Sequence, residues 1–404
     1  MDRSARRRDF LVLALALLCV YALFWTLTGR SPLFSTYDSY VLQANRWLSG
    51  HLDLGRNYAY LEIAQYAGRY FVSFPPIPSV LLLPLCQVFG SHAPDGLLAV
   101  GMSLVSACYA LRLARLAGRE GSNGVFWALF LTVGSNFLHV GPSADVWYLA
   151  QTCAFAFTLM ALYHASTPGL RDGWVPLLAL ALAFGCRPLQ IVYLPLVALL
   201  LAQKVRAGGL TLPGALRRYW WWLLPPLAVG GLLMALNFAR FGSPFQFGHD
   251  YLPEFAVEKP QGQFSAAYLP DNWARLWALP PVVGGRVVFP IFNGCAFWLF
   301  SPIFLSFGIY FLKNIRRVIK TPAVLLTVAL ILAHFAALCL HATLGGWQFG
   351  NRYTVDALPA LYWALTRLLK EDRADLPALN APLFLWGLGL NLAGSVALFN
   401  GWLG

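Results

Sequence analysis

Long apolar runs constrain the fold of this chain more than any other feature of its sequence. A helix needs about 20 apolar residues to cross a bilayer, and eleven segments read as such helices. They lie near residues 10–28, 95–112, 124–140, 145–165, 174–186, 188–203, 219–238, 293–312, 322–341, 353–369 and 381–399. Only 11% of the 404 residues are charged, against roughly 25% in a soluble domain. The sequence therefore predicts an all-α polytopic membrane protein with about eleven transmembrane helices.

The start of the chain could also be read as a secretory signal peptide. An Arg-rich segment from Arg3 to Arg8 precedes an apolar run that reaches Thr28. Signal peptides have an apolar core of about 7–15 residues followed by a small-residue cleavage site. This run is longer, and no such site follows it. We therefore predict an uncleaved first transmembrane helix.

Basic residues are concentrated in short clusters between the apolar runs. Six clusters hold 19 of the 29 Lys and Arg residues. They are Arg3 to Arg8, Arg112/Arg115/Arg119, Arg171, Lys204/Arg206/Arg217/Arg218, Lys313/Arg316/Arg317/Lys320 and Arg367/Lys370/Arg373. Because cytoplasmic loops carry an excess of Lys and Arg, the clusters predict a cytoplasmic N-terminus in the inner (plasma) membrane. The net charge of +12 then faces anionic lipid headgroups, and we expect no nucleic-acid partner.

Two segments, 29–94 and 239–292, are too polar to cross the membrane and too apolar to be simple loops. Both are predicted to be extracytoplasmic. The second is rich in aromatic residues, Gly and Pro, which suits a folded platform at the membrane surface, since exposed irregular backbone is excluded from hydrocarbon. No soluble domain interrupts the chain, so residues 1–404 are treated as one transmembrane domain without a soluble C-terminal domain.

The first of these loops contains two predicted interfacial helices. Residues 40–49 place Tyr40, Ala44, Trp47 and Leu48 on one helical face, with Gln43, Asn45 and Arg46 turned away. Such an amphipathic pattern is typical of a helix that lies in the membrane interface. The apolar run after Pro75-Pro76 has about fourteen residues, which is too short for a crossing and indicates a re-entrant or interfacial helix.

Asp38 is the first candidate for chemistry, about ten residues after the first predicted helix and flanked by Tyr37 and Ser39. A carboxylate at the membrane surface beside aromatic rings is partly desolvated, which raises its pKa and makes it a better base. The alternative is a helix N-cap, because Asp is a preferred capping residue. Both interpretations stay open from the residues alone. Tyr40 is a candidate substrate-binding residue beside it.

Asp145, in VGPSADVWYLA, also opens a predicted helix, so the cap alternative applies to it as well. Arg187 lies at the tip between two short predicted helices, where a charge at bilayer depth needs a partner or a ligand. Arg352 enters a predicted helix from an outer loop, with Asp356 four residues later. One hypothesis is that Arg187 and Arg352 bind an anionic headgroup. The other is that Arg352 and Asp356 form an i,i+4 ion pair.

The remaining candidates are outer polar residues that could contact a substrate. His249 lies in FGHDY of the second loop, and Arg69 and Arg286 are outer arginines. No HxxxH or HxH pair and no CxxC occurs, so the residues do not indicate a metal site.

Several blocks of sequence, taken in order, carry a family resemblance. The first loop reads YDSY and then ANRWLSG, followed by GRYFVSFPPIPSVLLLPLCQVFG. Asp145 follows the third predicted helix, and NFARFGSPFQFGHDYL and GGWQFGNRYTVDALPALYW come later. The chain resembles the GT-C superfamily of membrane glycosyltransferases, especially the protein O-mannosyltransferases and lipid A aminoarabinose transferases. The resemblance covers nearly the whole chain.

The resemblance implies a GT-C-like fold and transfer of a sugar from a polyprenyl-phosphate donor to an acceptor hydroxyl outside the membrane. The acceptor would be a glycan, a lipid or a protein. It gives the role of catalytic base to the first-loop acid, here Asp38, and places Asp145 near the active site. The lipid phosphate is a good leaving group, so such a site needs a base for the acceptor and cations for the phosphate.

This sequence departs from the family pattern at two places. Ser39 follows the first-loop acid, so the Asp-Glu or Asp-x-Asp pairs of many members are absent and a divalent metal is not indicated. Ser73-Phe74 precedes Pro-Pro, where aminoarabinose-type members have a lysine, so a phosphate contact has to come from elsewhere.

A transporter or flippase for an amphipathic anionic lipid-linked substrate is the alternative function. It would use the same arginines without a base, and it predicts charged residues in mid-helix and paired repeats, neither of which the sequence displays clearly. A catalytically inactive scaffold is a third hypothesis, against which the acid at position 38 argues.

Overall fold

The apolar runs form a bundle of helices in the computed structural model, which describes residues 3–253, 261–371 and 376–403. Residues 254–260 of the second predicted outer loop lie outside the described residues. In chain order the α-helices are α1 (Arg3–Thr28), α2 (Ser39–Leu48), α3 (Ile77–Phe89), α4 (Asp95–Leu116), α5 (Gly121–Thr132), α6 (Phe137–Val140), α7 (Val146–Ser166), α8 (Val175–Phe184), α9 (Leu194–Ala207), α10 (Leu212–Tyr219), α11 (Leu224–Phe241), α12 (Leu269–Trp277), α13 (Phe297–Phe300), α14 (Ile303–Lys313), α15 (Ile315–Val318), α16 (Pro322–Leu340), α17 (Leu358–Glu371) and α18 (Pro377–Phe399).

Seven helical segments of the described residues are long and apolar enough to cross a membrane. They are Ser4–Thr28, Asp95–Leu116, Val146–Ser166, Pro188–Ala207, Leu212–Phe241, Pro322–Leu340 and Pro377–Phe399. The chain is therefore a multi-pass membrane protein. Pro188–Ala207 joins a 3₁₀ turn, Pro188–Tyr193, to α9, and Leu212–Phe241 joins α10 to α11.

The other four predicted spans are helical but short or broken. The predicted helix 124–140 is interrupted, because α5 ends at Thr132 and α6 begins at Phe137. At the break, the amide of Asn136 donates to the carbonyl of Phe349 (3.1 Å) and to the side chain of Asn391 (2.8 Å). The segments predicted at 174–186, 293–312 and 353–369 appear as α8, as α13 with α14, and as α17. The exact number of crossings stays a prediction.

The first predicted outer loop folds around α2 and α3, which pack against each other. Tyr40, Val41 and Ala44 of α2 are buried, as the helical pattern predicted for Tyr40 and Ala44. The pattern was wrong for Gln43, which is buried, and for Leu48, which is exposed. The physical reason is that α3 covers the Gln43 side, where the hydroxyl of Ser79 donates to the Gln43 side chain at 2.8 Å.

Two small antiparallel hairpins, which the all-α prediction did not include, complete the loops. In the first loop β1 (Ile63–Tyr66) pairs with β2 (Arg69–Val72), and in the second β3 (Val282–Val283) pairs with β4 (Arg286–Val287). The first hairpin turns through Ala67 and Gly68, both with positive φ. Two successive positive φ values are the geometry of tight hairpin turns, which glycine favours.

The core lies around α7 and α17, which are the most enclosed helices of the bundle. Most side chains of α7 are buried, and so is nearly every side chain from Val355 to Leu369. The large buried rings include Trp127, Trp363 and Tyr362. This arrangement leaves α1, α11 and α18 at the periphery, where exposed leucines suit contact with lipid.

The helix ends that carry the basic clusters meet at one end of the bundle. Arg115 at the end of α4 pairs with Asp9 near the start of α1 (2.8 Å). Arg119 donates to the carbonyl of Leu369 at the end of α17 (2.9 Å). Lys204 of α9 donates to the carbonyl of His164 at the end of α7 (2.9 Å). This grouping agrees with the charge pattern, while the membrane side of each end stays a prediction.

Candidate functional site

A cavity of about 890 Å³ opens at the opposite end of the bundle, where the outer segments converge. We call it the outer cavity. Its walls come from the segment after α1, the start of α7, the 3₁₀ turn His249–Tyr251, the segment 292–293, the segment 341–353 and the end of α18. Its lining is mainly aromatic and charged: Arg30, Tyr37, Glu62, Phe74, Asp145, Trp147, Tyr148, His249, Phe292, His341, Trp347, Arg352, Tyr353 and Phe399.

Asp145 fixes the first outer loop to the start of α7. Its carboxylate accepts hydrogen bonds from Arg30 (2.5 Å), from the backbone N–H of Thr36 (3.1 Å) and Tyr37 (3.3 Å), and from the hydroxyl of Ser143 (3.2 Å). Asp145 stands at the N-cap position of α7, yet its side chain makes no capping hydrogen bond. Its side chain is only 3% exposed. The geometry gives Asp145 an organising role at the cavity wall, and its part in catalysis stays a prediction.

Asp38 lies beside the outer cavity but is not among the residues that line it. It occupies the N-cap position of α2 without a side-chain capping bond, so the capping interpretation fails for the carboxylate. The carboxylate accepts a hydrogen bond from the hydroxyl of Tyr60 at 2.9 Å. Burial raises the pKa of the Asp38 carboxyl, while the Tyr60 hydrogen bond lowers it by a smaller amount. Its neighbour Tyr37 does line the cavity and packs on Trp147, with ring centroids 4.8 Å apart.

The guanidinium of Arg352 is held in the cavity wall with part of its hydrogen-bonding capacity unused. Nε donates to the carbonyl of Gly345 at 2.8 Å, and the group lies 4.9 Å from the ring centre of Tyr353 and 5.8 Å from that of Tyr148. The residue is only 5% exposed, and its Nη1 is buried without a hydrogen-bond partner in the described part of the chain. An anion in the cavity would satisfy such a group.

Arg187 has a partner within the protein, which is one of the two alternatives, partner or ligand, that its position left open. Its Nε and Nη2 both donate to one carboxylate oxygen of Asp356, at 3.0 and 2.8 Å. The hypothesis of an i,i+4 ion pair between Arg352 and Asp356 is therefore wrong, because Asp356 pairs with Arg187 instead. The physical reason is that the 3₁₀ turn Arg352–Ala357 points Asp356 toward the tip between α8 and α9. Arg187 does not line the outer cavity. Its guanidinium lies 4.9 Å from the ring centre of Tyr353, a ring that the guanidinium of Arg352 also approaches to 4.9 Å.

The structure brings together only some of the other predicted substrate-binding residues. His249 lines the outer cavity, and its ring packs edge-on against Phe74 at 5.7 Å. Tyr40 of α2 is buried and does not line the cavity. Arg69 and Arg286 are exposed on the two hairpins, also away from the lining. Substrate roles for these four residues stay predictions.

Two charged residues of the lining, Arg30 and Glu62, were not singled out from the sequence. Arg30 bonds to Asp145 and lies 4.5 Å from the ring centre of Phe399. The Glu62 carboxylate accepts a hydrogen bond from the indole of Trp147 at 3.3 Å. Arg30 follows directly after the first apolar run, and that position is the signal that could have identified it.

The overall fold is shared with two solved membrane glycosyltransferase structures of the GT-C superfamily. ArnT from Cupriavidus metallidurans in the apo state is 15% identical and aligns over 98% of this chain and 77% of its own, with a TM-score of 0.51. The oligosaccharyltransferase from Archaeoglobus fulgidus in the apo form is 14% identical, with a TM-score of 0.52. That alignment covers 98% of this chain and 56% of the oligosaccharyltransferase, so this chain spans little more than half of that protein.

No protein-family model and no curated protein matches the sequence. At this level of identity the structural likeness establishes the fold, and the predicted GT-C-like fold is confirmed.

Proposed function

We propose that this protein is a glycosyltransferase that moves a sugar from a polyprenyl-phosphate donor to an acceptor hydroxyl at the outer face of the plasma membrane. The observation that carries the proposal is the partly unsatisfied Arg352 in a cavity that also holds Arg30 and two carboxylates. The proposed reaction requires that the lipid-linked donor reach this cavity from the bilayer and the acceptor from the aqueous side. The shared GT-C fold agrees with this reaction class.

The proposed reaction needs a base for the acceptor hydroxyl and a cation for the departing phosphate. The acceptor hydroxyl attacks the anomeric carbon of the donor, and its proton passes to a carboxylate. The bond between that carbon and the phosphate oxygen breaks, and its electron pair leaves with the polyprenyl phosphate. In a single displacement of this kind the configuration at the anomeric carbon is inverted. Arg352 is the cation placed to stabilise the negative charge that develops on the departing phosphate.

Two carboxylates are candidates for the base. Asp38 is the candidate from the sequence resemblance, and burial raises its pKa in the direction that a general base requires. Glu62 lines the cavity directly, where the Trp147 indole holds it. We retain Asp38 as the proposed base and treat Glu62 as the competing candidate. Asp145 accepts four hydrogen bonds, which favours a positioning role.

Turnover by the purified protein in lipid nanodiscs tests the proposal. The donor is a synthetic polyprenyl-phosphate sugar, and the readout is release of polyprenyl phosphate in the presence of glycan, lipid or peptide acceptors. Replacement of Arg352 by Gln should lower the donor affinity and turnover by at least about tenfold, because hydrogen bonds to charged groups contribute about 1.5–3 kcal/mol. Arg275→Gln, at an exposed arginine of α12 outside the lining, is the matched control and should leave both unchanged.

Two results would contradict the proposal. Equal effects of the Arg352 and Arg275 replacements would show that general positive charge, and not the cavity, attracts the donor. Tight donor binding without any release of polyprenyl phosphate, combined with movement of the lipid between leaflets, would favour the transporter or flippase alternative.

A further inference from the structure

A second cavity, of about 550 Å³, opens at the basic end of the bundle. We call it the basic-end cavity. It lies between the ends of α7, α9 and α17 on one side and the segment from α15 to the start of α16 on the other. It shares no residue with the outer cavity. By the charge pattern of the sequence, this end faces the cytoplasm.

Four cationic side chains line the basic-end cavity: Lys204, Arg317, Arg367 and Lys370. No aspartate or glutamate is among the described residues of its lining. Asp172 acts on Lys204 electrostatically from outside the lining. Cations that line one cavity give it a positive potential, which attracts an anion.

Lys204 holds its charge inside the bundle instead of extending it into solvent. The residue is only 7% exposed, and its ammonium donates to the carbonyl of His164 at 2.9 Å. An ammonium group has three donors, and a lysine is rarely this buried unless it is paired. Arg367 is half-buried, and its guanidinium lies 5.1 Å from the ring centre of Trp363. The packing of the helix ends therefore holds the cationic side chains of this cavity in place.

The cavity combines a cationic rim with an apolar wall. Arg317 and Lys370 are exposed, whereas Trp363, Val318 and Val324 are each only 1% exposed. The indole of Trp363 donates to the hydroxyl of Ser166 at 2.7 Å, which fixes the ring in that wall. A ligand that matches this lining has an anionic group at the rim and apolar chains against the helices, which describes an anionic amphiphile.

We propose that the basic-end cavity binds the phosphate of an anionic phospholipid from the cytoplasmic leaflet. Basic pockets between transmembrane helices on the cytoplasmic side are suited to such headgroups, because Lys and Arg side chains near the membrane surface attract anionic lipids. A free phosphate compound of the cytoplasm offers the same anionic group without the acyl chains. This site is independent of the proposed transfer reaction, which takes place at the other end of the bundle.

Lipid binding to the purified full-length protein in a neutral detergent tests the proposal. The probes are phosphatidylglycerol, phosphatidylcholine and inorganic phosphate, and the readouts are bound lipid by native mass spectrometry and the shift in Tm. Phosphatidylglycerol should bind and raise the Tm of the wild-type protein, while phosphatidylcholine and inorganic phosphate should have much smaller effects. The double variant Arg317→Gln/Arg367→Gln should weaken phosphatidylglycerol binding by about tenfold or more.

The neighbouring residue Arg316 supplies a matched control, because it is exposed at the same end but does not line the cavity. Arg316→Gln should bind phosphatidylglycerol as the wild type does. An equal loss in Arg316→Gln, or equal binding of phosphatidylcholine, would overturn the assignment of a specific site. If inorganic phosphate raised the Tm as much as phosphatidylglycerol does, the ligand would be a free phosphate compound and the lipid assignment would fail. Should the double variant not fold, the single variant Lys370→Gln at the exposed rim gives the same comparison.

Discussion

Asp38 and Asp145 each stand directly before a helix, and neither uses its carboxylate to cap that helix. The Asp38 carboxylate accepts from Tyr60, and the Asp145 carboxylate accepts from Arg30 and from two backbone N–H groups of the first loop. An N-cap side chain normally satisfies a free N–H group of the first helical turn. Both carboxylates are therefore positioned for contacts outside their own helices.

The pH dependence of turnover should report the environment of Asp38. A base acts in its deprotonated form, so activity falls as the pH drops through its pKa. Burial raises that pKa in this protein, so the acidic limb of kcat/KM should lie above the ordinary aspartate value of about 3.9. Asp38→Asn should lower turnover by at least about 100-fold. In Tyr60→Phe, which removes a hydrogen bond that lowers the pKa, the acidic limb should move to higher pH.

Tyr58→Phe is the matched control for this measurement. Its ring packs edge-on against Tyr60, with centroids 6.1 Å apart, and it should leave the acidic limb in place. Near-normal turnover of Asp38→Asn together with a large loss in Glu62→Gln would assign the base to Glu62 instead.

Which arginine is paired could not be predicted from the sequence. Arg187 and Arg352 looked alike as cations near the outer ends of helices. Their difference depends on Asp356, which is 169 residues from Arg187 along the chain and only four from Arg352. Local spacing favoured the near partner, whereas the approach of the α8–α9 tip to the 3₁₀ turn before α17 supplies the distant one. A contact between residues this far apart in the chain cannot be predicted from the spacing of neighbouring residues.

At the scale of elements, a helix or strand could be predicted from the sequence only where its segment has a regular spacing of apolar residues. The long apolar runs and the amphipathic segment that forms α2 were predictable, because burial on one helical face imposes a regular spacing. The hairpin of β1 and β2 was not, since IAQYAGRYFV is short and its turn residues, Ala67 and Gly68, are a weak hairpin signal. The outer cavity forms only where segments that are far apart in the chain meet, and no single segment predicts that meeting.

The contact between the α8–α9 tip and the turn before α17 should be important for stability. Asp356 is 1% exposed, so removal of its partner in Arg187→Ala leaves a buried charge without compensation. The free energy of unfolding should fall by about 3–5 kcal/mol. Replacing both members, as in Arg187→Met/Asp356→Leu, should restore part of the loss, because no unpaired charge then remains. Unfolding in mixed micelles of neutral detergent and sodium dodecyl sulfate measures these differences.

The pair of Arg46 and Asp53 provides a matched control for that measurement. These two side chains are 32% and 23% exposed, so Arg46→Ala should lower the free energy of unfolding by about 1 kcal/mol or less. Similar losses in Arg187→Ala and Arg46→Ala would show that the Asp356 carboxylate is better solvated than its burial indicates.

At the scale of the whole molecule, the two cavities divide the protein into two chemically different ends. Carboxylates and aromatic rings line the outer cavity together with two arginines, whereas helix ends that carry Lys and Arg line the basic-end cavity. The membrane between them allows no exchange of a charged sugar donor, so the side on which each cavity opens decides which substrates it meets.

Cysteine labelling in intact cells should establish which end faces the cytoplasm. In a background with the seven native cysteines replaced, cysteines at Ser49 and Gln261 should react with a membrane-impermeant thiol reagent. A cysteine at Asn314, which lines the basic-end cavity, should not react until the membrane is permeabilised. The asymmetry of Lys and Arg is the physical reason. Labelling of position 314 alone would invert the topology and place the proposed transfer site in the cytoplasm.

The hydrogen bonds of Asp145 also impose an order on biosynthesis. They join Arg30 to a residue 115 positions later in the chain, so the first outer loop lacks its anchor while α4 and α5 are still being inserted. Only after α7 has entered the membrane can the segment 30–37 settle against it. A nascent chain that has passed its first helix into the bilayer therefore carries an unfinished loop through the insertion of the next helices.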